Sequence, residues 1–450
     1  MNRGVPAGLP GASRSGRRSF ETASRFVGLI VKGIANVGVG TEDGTATVVF
    51  RARWVMIGLV FLATVINYLD RQTLSVAAPV IIEQFHLSNV EYSRIIFAFM
   101  LAYTVMNGIS GPMVDRLGTK VGYAVCIAWW SIAAMLHSLA RGAFSFGVFR
   151  FLLGMGEAGN WPAGVKVVAE WFPPKERALA SGIFNSGSAL GAVVAPPLVA
   201  WIILKSGWQS AFLMVGGAGL IWLTIWVFVY HSPPIAQTGI AGQPVPLWTL
   251  VRTRWVCQFT ASKIFSDPAW YFYIFWFPQY LKSARGFDIA AVGKFAWIPF
   301  FTAGAGNLLG GACAAAMLNR GVSVTWARKI SVMLFAALMT SAIPAVLVSN
   351  VFVSIGLISI ATLGYSGALA NMLAMPADRF PGSTVGSIWG IASMGAGFGG
   401  MVFSLLTGWV VDHYSYVPVF VGFGILPLIA AAMIWRLPQA DESDLTAAGK

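Results

Sequence analysis

Two stretches, FPPKERALASGIFNSGSALG at residues 172–191 and FPGSTVGSIWGIASMGAGFG at residues 380–399, decide how this chain is built. Phe172-Pro173 is followed by Gly182, Gly187 and Gly191. Phe380-Pro381 is followed by Gly390, Gly395 and Gly399, and every pair is offset by 208 residues. Five matches in one register point to an internal duplication, even in a chain with 50 glycines. Gly187/Gly191 and Gly395/Gly399 each form a GxxxG, a pattern that lets membrane helices pack closely. Two loops repeat as well. Gly111-Pro-Met-Val-Asp115-Arg116-Leu-Gly118-Thr-Lys120 has a counterpart in Asn319-Arg320-Gly321, followed by Arg328-Lys329, at an offset of 204.

The repeated units are membrane-spanning helices. The chain is 57% hydrophobic and 10% charged, against about 25% charged in soluble domains. Apolar stretches of about 20 residues, enough to cross a bilayer as a helix, recur twelve times. They fall near 54–82, 91–113, 120–140, 144–169, 178–203, 208–230, 257–281, 291–318, 326–348, 351–376, 384–411 and 415–436. None alternates as a barrel strand would. The expected fold is therefore all-α: two pseudo-symmetric six-helix bundles at 53–230 and 255–438. A polar cytoplasmic linker at 231–254 joins them, with a basic, disordered tail at 1–52 and a short tail at 439–450.

A net charge of +13 would suit nucleic acid, but topology explains it better. With a cytoplasmic N-terminus, 20 of the 30 Lys and Arg lie on the cytoplasmic side, 6 on the far side and 4 within spans. That bias obeys the positive-inside rule and places both termini in the cytoplasm. Residues 1–50 read as a tail or an overlong start, with no cleavable secretory signal. Cys126, Cys257 and Cys313 lie in apolar stretches without metal spacing and read as packing residues. The four histidines are scattered. No metal, cofactor, nucleophile–base set or phosphate-cradling loop stands out. An enzyme or an ATP-driven pump is not expected, and the partners left are the bilayer and a small solute.

Charges at bilayer depth point to that solute. Asp70, Arg71, Arg150, Glu157, Lys263 and Asp267 fall within spans, three acids and three bases, with Lys166 nearer a cytoplasmic end. Such residues are costly unless paired or facing water, and so mark function. Asp70 and Arg71 are adjacent, so on a helix they point about 100° apart and cannot pair well. Arg150 and Glu157 share a helix face two turns apart, too far for a direct bridge. Either Arg71 or Arg150 can pair with Glu157 across helices. Lys263 and Asp267, four apart, can neutralise each other. An arginine binds a carboxylate through two parallel hydrogen bonds and keeps its charge. A desolvated carboxyl can hold a proton at ordinary pH. Protonating Asp70 or Glu157 would then free an arginine for an anionic substrate, so that proton and anion cross together. Asn160, Asn185, Ser188, Asn307 and Ser393 could read hydroxyls, and Tyr271 and Trp389 could stack on a sugar.

The loop reading G-x-x-x-D-R-x-G-x-K resembles that of the major facilitator superfamily, in which Gly111, Asp115, Arg116, Gly118 and Lys120 would form a cytoplasmic gating loop. Asn67-Tyr68-Leu69-Asp70-Arg71, Arg150-x-x-x-Gly154-x-x-Glu157-Ala158 and Glu170-Trp171-Phe172-Pro173-x-x-Glu176-Arg177 resemble its anion:cation symporter branch. Pro162-Ala163-Gly164-x-Lys166 and Asp267-Pro268-x-Trp270 look like the bacterial hexuronate transporters. The resemblance implies proton-driven uptake of sugar-acid anions such as glucuronate or galacturonate, by a monomer in the inner membrane. It implies that Arg71 holds the substrate carboxylate, that Asp70 and Glu157 carry protons, and that Arg150 partners Glu157. Tyr68 and Tyr103 would contact the sugar. Other anions (galactonate, a dicarboxylate, phosphate) and a non-transporting sensor are the rival readings.

Overall fold

A computed structural model describes residues 42–172, 174–231, 247–380 and 382–438. The described residues are helical and contain no strand. In chain order the helices are α1 Glu42–Phe85, α2 Asn89–Leu136, α3 Ala143–Glu157, α4 Asn160–Trp171 and α5 Pro174–Val229. They continue with α6 Leu247–Arg252, α7 Arg254–Phe275, α8 Phe277–Arg285, α9 Ile289–Phe295 and α10 Ile298–Leu318. The last are α11 Val324–Leu338, α12 Ala342–Leu347, α13 Val351–Arg379, α14 Gly382–His413 and α15 Tyr416–Trp435. The expected tail falls on residues 1–41, outside the described residues, and on the start of α1, which begins at Glu42 ahead of the first apolar stretch. Linker residues 232–246 and the tail at 439–450 also lie outside them.

Nine helical stretches among the described residues are long and apolar enough to cross a membrane. The difference from twelve has physical causes. Ala180–Val229 is one apolar stretch that turns at Gly207, where φ is 82°, so it holds two crossings. The crossing at 143–171 is split into α3 and α4 and carries Arg150, Glu157, Lys166 and Glu170, which lower its hydropathy. The crossing at 254–285 is split at Trp276, before Pro278, and carries Lys263 and Asp267. The two crossings missed on apolarity are thus those that carry most of the buried charge.

The duplication is visible in the packing. A Cβ on Gly187 would lie 2.5 Å from the Phe61 carbonyl oxygen, and one on Gly191 2.7 Å from that of Val65. In the second half, Gly395 meets Thr260 in the same way, and Gly399 meets the Ile264 carbonyl. Phe61 and Val65, like Thr260 and Ile264, are one turn apart, so α5 seats on α1 as α14 seats on α7. Gly182 and Gly390, which share the repeat register, face open space. The repeated loops also turn alike. Gly118 and Gly321 have φ of 77° and 82°, a left-handed backbone that disfavours residues with a Cβ. Of the cysteines, Cys126 is buried and Cys313 half-buried, but Cys257 is exposed rather than packed.

Among the described residues, the hydrogen bonds that join the halves cluster at one end of the bundle. The Phe275 carbonyl accepts from Tyr92 Oη at 2.7 Å and Ser75 Oγ at 3.2 Å. Asp412 accepts from Asn89 N, Asn89 Nδ2 and Val90 N at 2.8–3.0 Å, capping α2 from the opposite half. Lys282 bridges to Glu83. The halves are thus latched at the end that carries the turns after α1 and α8.

Candidate functional site

The unbroken apolar run of α1 carries Asp70 and Arg71 into the interior, where they are 2% and 3% exposed. Arg71 reaches across to Glu157, near the end of α3. Its Nε and Nη2 both donate to Glu157 Oε2, at 3.0 and 2.9 Å. Glu157 is fully buried, and its Oε1 has no hydrogen-bond partner among the described residues. Rings enclose the guanidinium: Tyr103 at 4.6 Å, Tyr68 at 5.0 Å and Phe99 at 5.3 Å from Cζ. Such cation–π contacts strengthen where water is excluded. The result is a fixed cation with one acidic partner, seated in an aromatic box at the middle of the first half.

Arg150, expected to partner Glu157, lies within electrostatic reach of it but makes no hydrogen bond to it among the described residues. Two turns of helix separate the two residues on α3, and Arg71, coming from α1, takes the contact. Arg150, 1% exposed, donates from Nη2 to the Arg71 carbonyl at 3.0 Å, while its Nε and Nη1 have no partner among the described residues. Arg150 also approaches Phe99, with its Cζ 5.5 Å from the ring. Asp70 does not pair with Arg71, as helix geometry requires. Both its carboxyl oxygens are buried without a hydrogen bond, within electrostatic reach of Glu157 and Arg150. Asn67, one turn earlier on α1, is likewise buried with both amide atoms unpartnered.

The hydroxyl-reading candidates separate into groups. Asn160 is fully buried; its Oδ1 accepts from Tyr123 Oη at 2.6 Å, and its Nδ2 donates to Thr64 Oγ1 at 3.2 Å. It ties α1, α2 and α4 together and presents nothing to a solute, so the expectation of substrate contact is corrected. Ser188 neighbours the Tyr68 hydroxyl and donates to the Asn185 carbonyl. The side chains of Asn185, Asn307 and Ser393 are exposed and make no hydrogen bond among the described residues. Tyr271 stacks on Phe275, which meets Phe99 edge-on at 5.9 Å, so one chain of rings runs from the second half to Arg71. Gly400 leaves room for Tyr271 and Met100 to meet.

Lys263 and Asp267 form the local pair that their spacing predicts, at 2.8 Å. Ser266 also donates to Asp267, and Lys263 lies over the Trp389 ring at 5.6 Å. Trp270 stacks on Tyr365 at 5.1 Å and 4°. In the gating loop, Gly118 makes the turn, and Thr119 donates to Glu170, which also accepts from Tyr230. Gly111, Arg116 and Lys120 lie along that segment, and the side chain of Asp115 is outside the described residues. Phe99, Asn67, Tyr92 and Tyr365 were not foreseen as site or gate residues. A phenylalanine or tyrosine inside an apolar span carries no sequence signal separating it from packing. Asn67 stands in the Asn-Tyr-Leu-Asp-Arg string and could have been found there. Among the described residues no three His, Cys, Asp or Glu side chains gather as metal ligands.

Comparison with known proteins gives the family. The model of the Major Facilitator Superfamily matches residues 60–324 and 307–450. A hexuronate transporter of Escherichia coli (strain K12) is 33% identical over 407 residues, covering 86% of this chain and 94% of that one. A galacturonate transporter of Dickeya chrysanthemi is 38% identical over 278 residues, 58% of this chain and 80% of that one. Among solved structures, a bacterial homolog of the human lysosomal transporter Spinster, inward-facing and occupied, superposes with a TM-score of 0.68. It is 19% identical and covers 87% of this chain and 98% of that one.

Proposed function

For a chain that belongs to the major facilitator superfamily, an integral multi-pass membrane protein, we propose uptake of sugar-acid anions coupled to protons by alternating access. Hexuronates such as glucuronate and galacturonate are the proposed substrates, and the relatives' names support that class. The observation that carries the reading is the Arg71–Glu157 pair, buried in an aromatic box beside an unpartnered Asp70.

The geometry supports a working cycle. Arg71 offers Nε and Nη2 as a fork, the arrangement that suits a carboxylate. Glu157 occupies that fork, so a substrate carboxylate must displace it. A proton on Glu157 removes its hold on Arg71. Asp70, ionised, would be a buried carboxylate without a hydrogen bond, a state that costs several kcal/mol; taking a proton removes that cost. When neither carboxyl is protonated, Arg150 has two free donors with which to steady them. Tyr68, Tyr103 and Tyr271 line the hydroxyl end of the substrate, with Asn185, Ser188, Asn307, Trp389 and Ser393 on the helices that move.

The two bundles, 53–230 and 255–438, rock about this site. The GxxxG contacts keep α1 with α5 and α7 with α14 as rigid pairs. The latch of Asp412, Tyr92 and Lys282 closes the far side, and the basic loops with the gating residues Asp115, Arg116 and Lys120 lie on the cytoplasmic side. That orientation puts both termini in the cytoplasm of a bacterial inner membrane, with a monomer as the working unit. Equilibrium binding of labelled glucuronate and galacturonate to the purified protein tests the site. Binding should tighten at acid pH and vanish in Arg71→Ala; unchanged binding in that variant would remove Arg71 as the anchor.

A further inference from the structure

Away from the Arg71 site, a groove of about 570 Å³ runs between α2 and α3. Ile95, Ala98, Val148 and Phe151 form its walls, and Arg94 stands among its lining residues near the start of α2. Gly147 widens it: a Cβ there would meet nothing within 4 Å. The surface is apolar and open, with Val148 40%, Phe151 38% and the adjoining Phe144 86% exposed. From Ala143 to Leu152 the groove follows α3 for about 13 Å, close to one leaflet of a hydrocarbon core roughly 30 Å thick.

Arg94 and Glu91 both line its upper end without pairing with each other. Arg94 is exposed and makes no hydrogen bond or ion pair among the described residues. Glu91 is three residues away on the same face, yet it does not pair with Arg94. Its carboxylate accepts from Ser88 N at 2.9 Å and Ser88 Oγ at 3.1 Å, in the capping box that starts α2. Arg141, in the turn before α3, is a second exposed guanidinium whose side chain has no partner among the described residues. An apolar trough one leaflet deep, with an exposed guanidinium among its lining residues and a second one in the turn before α3, matches one chemistry.

We propose that this groove binds an anionic phospholipid, its phosphate on Arg94 and its acyl chain along Val148 and Phe151. A guanidinium offers a phosphate two parallel hydrogen bonds, and the apolar walls need an occupant as long as a lipid chain. A second copy of this chain is a poorer fit, because closing a protein surface over Arg94 would bury a cation without a partner.

Native mass spectrometry of the purified full-length protein, with phosphatidylglycerol or phosphatidylcholine added, tests this. Wild type should retain phosphatidylglycerol about fivefold better, and Arg94→Gln should lose that preference. Gly147→Leu fills the groove from a half-buried position where a Cβ meets nothing within 4 Å, and should reduce retention of both lipids, with thermal unfolding unchanged. Equal preference in wild type and Arg94→Gln would overturn the proposal. So would full lipid retention by Gly147→Leu, or a dimer that Gly147→Leu splits.

Discussion

Glu157→Gln removes one charge from the buried pair and leaves its shape almost unchanged. In wild type, Glu157 Oε2 takes both Arg71 donors, at 2.9 and 3.0 Å. Hydrogen bonds to charged groups contribute about 1.5–3 kcal/mol each, and a glutamine oxygen keeps only a weaker bond, charged on the donor side alone. If one such bond's worth passes to an incoming carboxylate, substrate affinity rises about tenfold or more. The variant also leaves Arg71 a buried cation short of its counter-charge, a state that costs about 3–5 kcal/mol when a buried pair is broken. A bound carboxylate restores the pair, so substrate should raise thermal stability more in Glu157→Gln than in wild type. The assay is sugar-acid binding at acid and alkaline pH, beside counterflow and pH-driven uptake in proteoliposomes. Binding should be tighter and less dependent on pH than in wild type, exchange should persist, and gradient-driven accumulation should be lost. If driven accumulation survives, or if affinity falls while keeping the wild-type pH dependence, Glu157 is not the proton-linked competitor.

Arg71→Lys keeps the charge but loses the fork, and should weaken sugar-acid binding about tenfold or more, measured by equilibrium binding; equal affinity would deny bidentate docking. Gly191→Ala drives a Cβ to within 2.7 Å of the Val65 carbonyl and should cost about 1–3 kcal/mol in thermal unfolding. Gly182→Ala, in the same repeat but facing open space, should cost nothing measurable. Asp412→Asn removes the charge that caps α2 across the halves, an interaction worth up to about 2 kcal/mol. It should raise the far-side-open population in spin-label distance measurements, and an unchanged distribution would show that the latch lies elsewhere.

Much of the architecture could be read from residue spacing, because duplicated glycines must repeat wherever duplicated helices touch. Gly187, Gly191, Gly395 and Gly399 proved to be contacts between helices, while Gly182 and Gly390 share the register without the contact. Spacing alone could not separate them, since close approach is a property of two helices. The same limit applies to the charges. Sequence separation shows that Asp70 and Arg71 cannot pair and that Lys263 and Asp267 can. It leaves open which arginine reaches Glu157, because that depends on how α1 leans on α3. Asn160 looked like a substrate contact for the same reason: a polar residue in an apolar span has a partner, and only the packed structure shows Tyr123 and Thr64 in that place. The aromatic box was half visible, through Tyr68 and Tyr103, and Phe99 entered it unmarked.

Transport itself is the central claim, and proteoliposome uptake tests it most directly. Purified protein would be reconstituted and offered labelled glucuronate, galacturonate and galactonate, with and without an imposed pH gradient. Accumulation of a hexuronate above the equilibrium level with the interior alkaline, collapsing when a protonophore is added, is the expected result. No accumulation of any sugar acid, or accumulation indifferent to the gradient, would contradict proton-coupled sugar-acid uptake.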